Sequence, residues 1–425
     1  MILVQPESSE GFLEVPAHGQ LLQQAPKKLD ERLCEVGAVG ERIWYLSTAL
    51  NGGPTVVSGS VLLPPGEPPG GHWPRVVAWG VGGWSIADPY APSRIPELHR
   101  ERGWWISVML CKLIEAGFAV VVSDYEGLGT PGPRPFQAPY SEGRSTVDAV
   151  LAARQLHPEL SDYWFVGGHS GGGHAAFETA EVVARGYGSD QHHLLGVVAL
   201  EPAADFIFFA DQYDAGIRTR ARASLAEEQA SEGYTLQQSV LRPDGSRRVS
   251  DLTMRGRQGR TVYLSILVGL KEQYPQISLA DYLGPLALQR LENVYYESIE
   301  TIEKAYADIP HDEFGPRTEP ARQQFRAWLE AIAVPRQYFD TPVFYGGRSR
   351  PNGPGTDRVV PHAGAGRVAN RLMSPPGYDR CINLGLNAVF RLEYEASSHQ
   401  EMLPAAASDV VEWMNGLLFK SGALS

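Results

Sequence analysis

Gly168-His169-Ser170-Gly171-Gly172 lies between an aromatic and β-branched run, Tyr163-Trp164-Phe165-Val166-Gly167, and a segment from His174 to Gly186 whose apolar residues recur at helical spacing. That order predicts a short buried strand, a tight turn, and a helix stopped by a glycine. In such a context G-x-S-x-G carries chemistry. The small residues let the backbone turn sharply, so the serine hydroxyl projects above a sheet and the next amide N–H can face an oxyanion. With 45 glycines in 425 residues the bare pattern is a weak signal, and a glycine-rich structural turn would read the same. Residues elsewhere in the chain have to decide.

Working outward, strands and helices alternate. Arg75-Val76-Val77-Ala78-Trp79 reads as a short apolar strand opening into Gly80-Val81-Gly82-Gly83-Trp84. Residues 104–115 suit a helix, 117–123 a strand ending at Asp124, about 146–155 a second helix, and 194–200 another strand. Apolar strands alternating with amphipathic helices predict an α/β fold, a mostly parallel sheet covered on both faces. Catalytic groups then sit on loops at the carboxyl ends of the strands. Upstream, strands at 41–47 and 55–63 flank the turn Asn51-Gly52-Gly53-Pro54, and residues 1–40 show no clean period and read as an N-terminal arm. Between 205 and 335 the strand pattern stops. That segment is too long for a loop and reads as an inserted helical cap, with the core formed by 41–204 and 336–425. Strand patterns resume at 341–347 and 388–394, and a last helix runs from about 404 to 418.

A net charge of −12 argues against nucleic acid or an anionic membrane as partner. The hydrophobic fraction, 43%, is enough for a large core. Cys34, Cys111 and Cys381 have no zinc or redox spacing and are expected to be buried free thiols. The apolar run 262–270 is too short to span a bilayer and suits a buried helix. Residues 1–10 lack a signal-peptide pattern, which favours a cytoplasmic protein, or a secreted one if a signal has been removed. Oligomeric state is left open.

A serine hydroxyl needs a base to take its proton, and the base needs an acid to fix its tautomer. On this kind of sheet the chain order is Ser, then Asp or Glu, then His. His399 follows the strand ending at Tyr394 and precedes the last helix, where a loop-borne base belongs; His362 has no strand delivering it. Asp357 follows the strand at 341–347 and is the expected acid, with Asp379, in a Pro-Gly turn, as its competitor. An oxyanion hole needs two N–H donors, expected from Gly171 and from Gly83 or Trp84. Gly83-Trp84-Ser85-Ile86-Ala87 is a near miss to a second nucleophile motif and reads as oxyanion-loop scaffold.

These residues together resemble the secretory lipase family, the α/β-hydrolases similar to Candida lipase A. Ser123-Asp124-Tyr125-Glu126-Gly127, Val147 to Arg154, the turn Gly168 to Ala175, Asp357 to Pro361, His399 and Ala91-Pro92-Ser93 carry the likeness, with His169 where a Tyr is common and Tyr90 where a half-cystine is usual. The resemblance implies an α/β-hydrolase that cleaves carboxylic esters with a Ser-His-Asp triad, a helical cap and no cofactor or metal. The missing half-cystine and signal point to an intracellular relative.

The expectation is therefore an esterase or lipase acting on a small-molecule ester. Ser170 is the nucleophile, His399 the base, Asp357 its acid, and His169, Phe206, Phe208 and Phe209 are candidates to contact substrate. An acyltransferase, thioesterase or cyclase would use the same triad with another acceptor. A peptidase, or a non-catalytic binding protein on the same fold, fits less well. Asp124 and Glu126 read as a buried polar network rather than as a catalytic pair.

Overall fold

The computed structural model describes residues 18–82, 86–96, 104–188, 192–204, 206–207, 210, 240–241, 247–248, 257–337, 339–348, 389–394, 399 and 401–422. Nine strands form one sheet: β1 (Leu21–Pro26), β2 (Val39–Thr48), β3 (Pro54–Leu63), β4 (Val76–Gly80), β5 (Ala119–Ser123), β6 (Tyr163–His169), β7 (His193–Leu200), β8 (Val343–Arg348) and β9 (Val389–Tyr394). Their spatial order is β1-β2-β3-β5-β4-β6-β7-β8-β9. From β5 to β9 every pairing is parallel, whereas β1, β2 and β3 add antiparallel at one edge. Strands buried on both faces need no alternation, and the unbroken Val-rich runs of β4 and β5 are buried at every position.

On one face pack α2 (Ser141–Leu156) and α3 (Gly171–Ala184), whose Val147, Val150, Ala176 and Phe177 join Val76, Val121, Trp164 and Val197 in a single apolar cluster. The other face is covered by α1 (Trp104–Glu115) and α6 (Met402–Ser421), through Leu110, Leu113, Met402, Val410 and Met414. The expected elements recur with boundaries moved by a few residues. One differs in kind. Within the segment read as an N-terminal arm, Leu21–Pro26 is an edge strand of the main sheet, and Asp30 caps a short helix at Glu31–Glu35. Only Leu21 and Ala25 of that strand are even partly covered, so it leaves little hydrophobic pattern to read.

Within the segment expected to be a cap, α4 (Arg257–Gln273) and α5 (Glu319–Ile332) build a third cluster around Tyr263, Leu267, Phe325 and Trp328. The run 262–270 is indeed inside a largely buried helix. That expected cap segment is tied to the sheet's helices by charge as well as by packing. Arg336, at the cap exit, donates from Nη2 to Glu178 Oε1 at 2.8 Å and from Nε to Glu181 Oε2 at 2.8 Å, both carboxylates lying on α3 with no exposed side-chain surface. Removing that guanidinium would strand two buried carboxylates, a loss of about 3–5 kcal/mol for buried pairs.

Among the described cysteines, Cys111 is a buried free thiol as expected, but Cys34 is exposed, on the solvent side of its short helix. Cys381 lies outside the described residues. Among the described residues, no helix is long and apolar enough to cross a membrane.

Candidate active site

Ser170 sits between β6 and α3 with φ 58° and ψ −121°, a left-handed φ in a residue with a Cβ. Such backbone costs of order 1–3 kcal/mol and persists only where its surroundings enforce it. Here they do: its N–H donates to Leu200 O at 3.0 Å, and its carbonyl accepts from Ala203 N at 2.8 Å and His174 N at 3.2 Å. The glycines make the turn possible. A Cβ on Gly168 would lie 2.3 Å from the Gly172 carbonyl atoms, and one on Gly172 would lie 2.0 Å from Gly80 O. Gly171 opens α3, so its N–H is one of the free donors of a helix start. The loop leaving β4 passes against this turn, since a Cβ on Gly82 would be 3.8 Å from Ser170 Cβ. Gly83, Trp84 and Ser85 lie outside the described residues, as do Phe208, Phe209, Asp357, His362 and Asp379.

His399 is buried, and its Nδ1 lies 3.0 Å from Oε2 of Glu201, which is equally buried. The His169 and His399 rings are 4.1 Å apart between centroids, tilted by 41°. Two expected site residues, His169 and His399, thus meet at the carboxyl edge of β6. Glu201 is a partner the sequence reading missed. Its signal was available: Leu200-Glu201-Pro202 ends a buried strand in a carboxylate beside the nucleophile turn. Phe206, expected to touch substrate, is buried in the cap cluster with Ile86, Phe136 and Ala203.

Residues 106–240 match the family model described as secretory lipase. That segment is similar to the secretory lipases. The chain's reaction class is that of the carboxylic ester hydrolases. The fold is shared with the rice cell-wall-degrading esterase LipA of Xanthomonas oryzae, at TM-score 0.63 and 19% identity over 95% of this chain and 100% of that one. It is shared too with Candida antarctica lipase A in its closed state, at TM-score 0.65 and 14% identity over 95% of this chain and 83% of the other. No curated protein sequence matches the chain. A secretory family fits the secreted alternative and gives the cytoplasmic preference no support.

Close to the Ser170 turn lies a second buried group, Glu142, His174 and Glu178. His174 donates from Nε2 to the Ile332 carbonyl at the end of α5, at 2.8 Å, so the helix carrying the turn is also pinned to the cap. Burial opposes a charged imidazole here, but Glu142 and Glu178 outweigh it and raise the His174 pKa above 6.5. Burial likewise opposes the Glu142 carboxylate, yet Arg134, at 2.7 Å, and His174 hold it below its ordinary range. Either this trio or His169, Glu201 and His399 brings donor atoms within 4.8 Å of one another, as a metal would need. Arg134 and Arg336 already neutralise the first trio, and in the second His399 and Glu201 already bond each other. A histidine whose pKa is raised by folding adds stability fully present below its unfolded value and lost as pH rises through the folded one. His174→Gln is therefore expected to flatten the decline in urea midpoint as pH rises above 6.5. An unchanged decline would assign it to other groups.

Asp124 and Glu126 behave as the polar network expected of them. Asp124 accepts from Ser58 Oγ at 2.6 Å and Ser93 N at 2.8 Å, and Glu126 from Ser141 Oγ at 2.6 Å and Leu50 N at 2.9 Å. Together with Lys27, which donates to the carbonyls of Pro92, Ser93 and Ile95, Asp124 fixes the Ala91-Pro92-Ser93 loop.

Proposed function

We propose that the protein cleaves a small-molecule carboxylic ester through an acyl-enzyme on Ser170. The observation that carries this reading is the strained turn holding Ser170 at the carboxyl edge of the sheet, where buried His399 also lies. Ser170 Oγ attacks the acyl carbonyl while His399 takes the hydroxyl proton. The oxyanion rests on the Gly171 N–H and on a second N–H from the Gly83–Trp84 loop. Collapse of the tetrahedral intermediate breaks the C–O bond to the alcohol, which leaves with the proton from His399. Water, deprotonated by the same imidazole, then attacks the acyl-enzyme and releases the acid and free Ser170. Asp357 is the acid that chain order assigns to His399.

A fluorophosphonate, which phosphonylates only an activated serine, tests the assignment. Wild type is expected to be labelled at Ser170, Ser170→Ala not at all, and His399→Ala at a rate reduced at least about a hundredfold, the usual contribution of general-base catalysis. Labelling that survives in Ser170→Ala would place the nucleophile elsewhere.

A further inference from the structure

The contact between His399 and Glu201 leads beyond the triad that chain order assigns. In a serine–histidine–carboxylate system one ring nitrogen receives the serine proton, and the other donates to a carboxylate that fixes the tautomer and stabilises the imidazolium. His399 makes the second contact with Glu201, through Nδ1 at 3.0 Å, in a site where both side chains are only 6% exposed. With the proton on Nδ1, Nε2 is the nitrogen left to act on the serine.

The backbone aims Glu201 at this task. Glu201 is the first residue after β7, and its φ of 39° is left-handed in a residue with a side chain. Its N–H donates to Gly346 O on β8 at 2.9 Å, and the residue before it, Leu200, accepts from Ser170 N at 3.0 Å. The nucleophile and this carboxylate therefore leave neighbouring strands in one hydrogen-bonded register, both with backbone that only tertiary contacts sustain. A glutamate needed only for packing would have no reason to hold such a conformation and to bury a charge against an imidazole.

We propose that Glu201 is the carboxylate that orients His399 during catalysis, a positioning role supplied from the end of β7 rather than from the loop that carries Asp357. The proposal rests on Ser170 and His399 acting as nucleophile and base. Glu201 moves no proton to substrate; it accepts the Nδ1 hydrogen bond throughout and strengthens it when His399 becomes charged.

Glu201→Gln, Glu201→Asp and Asp357→Asn should be compared with wild type and Ser170→Ala on a p-nitrophenyl ester, with the pH profile of kcat/KM and the far-downfield imidazole proton resonance recorded for each. Glu201→Gln is expected to lower kcat at least about a hundredfold with KM changed less than about threefold. The downfield resonance should disappear, and the limb of the profile set by the base should move to higher acidity, because the imidazolium loses its counter-charge. Glu201→Asp should recover part of kcat and return the limb toward its wild-type position, which a merely structural role would not require. Asp357→Asn should keep the resonance. If Glu201→Gln keeps kcat within about threefold and retains the resonance, or if Asp357→Asn alone abolishes that resonance, Glu201 is not the orienting carboxylate. Should Glu201→Gln fail to fold, Glu201→Asp decides by itself: an unmoved pH limb together with an unaltered resonance overturns the proposal. Hydrolysis undiminished in Ser170→Ala would bring down the underlying reading instead, a result distinct from any of these.

Discussion

Ser170→Ala is expected to reduce ester hydrolysis by about 10⁵- to 10⁶-fold while leaving the fold intact. The loss is large because nothing else in the described turn can replace an alkoxide nucleophile: residues 171–173 are glycines, and the His169 ring lies tilted against that of His399. What remains would come from the oxyanion donors and from binding, which act without the nucleophile. Stability should move by no more than about 1 kcal/mol. Serine and alanine carry the same Cβ, so the strain at φ 58° is neither relieved nor increased. Rates on p-nitrophenyl esters and urea unfolding curves check both halves. A loss below about tenfold in a folded variant would mean that Ser170 is a turn former only.

The second large effect belongs to the backbone. Gly172→Ala is expected to destabilise the protein by about 3 kcal/mol or more and to displace the loop after β4. The new Cβ would lie 2.0 Å from Gly80 O, 2.5 Å from Gly80 C and 3.2 Å from Val81 C. Those are backbone atoms of a buried strand end, so no side chain can swing aside. Either β4 and α3 separate, or the nucleophile turn opens. Gly416 supplies the control. It lies within α6 and a Cβ there meets nothing within 4 Å, so Gly416→Ala should stabilise by about 0.5–1 kcal/mol through helix propensity alone. Urea midpoints for the two variants, measured side by side, should move in opposite directions. A Gly172→Ala protein as stable as wild type would show that the turn is far looser than its contacts imply.

The same contrast shows which parts of the protein were legible in one dimension. The Ser170 turn could be read because its whole context is local: a short aromatic, apolar strand, four small residues and an amphipathic helix succeed one another within about twenty-five positions. The parallel core could be read for a related reason. Runs such as Ala119-Val120-Val121-Val122 are buried on both faces, and unbroken apolarity survives translation into sequence. The first strand could not, since Leu21–Pro26 has an exposed, polar middle and earns its place through hydrogen bonds to β2. Lys27 is equally silent in sequence, yet it holds three carbonyls of a loop some seventy residues away.

The division is sharpest at the site. Sequence alone determined the fold class and the strand, turn and helix that carry Ser170, because each depends on spacing along the chain. Only the tertiary structure decided that Glu201 meets His399, that Phe206 packs with Tyr263 and Trp328 in one cluster, and that Arg336 and His174 tie α3 to the end of α5 and the residues after it. Those pairings join residues as many as 198 positions apart. A charged side chain carries no mark in sequence of which distant charge it will meet. The partner is chosen when burial removes water and leaves the nearest opposite group as the remaining way to satisfy it.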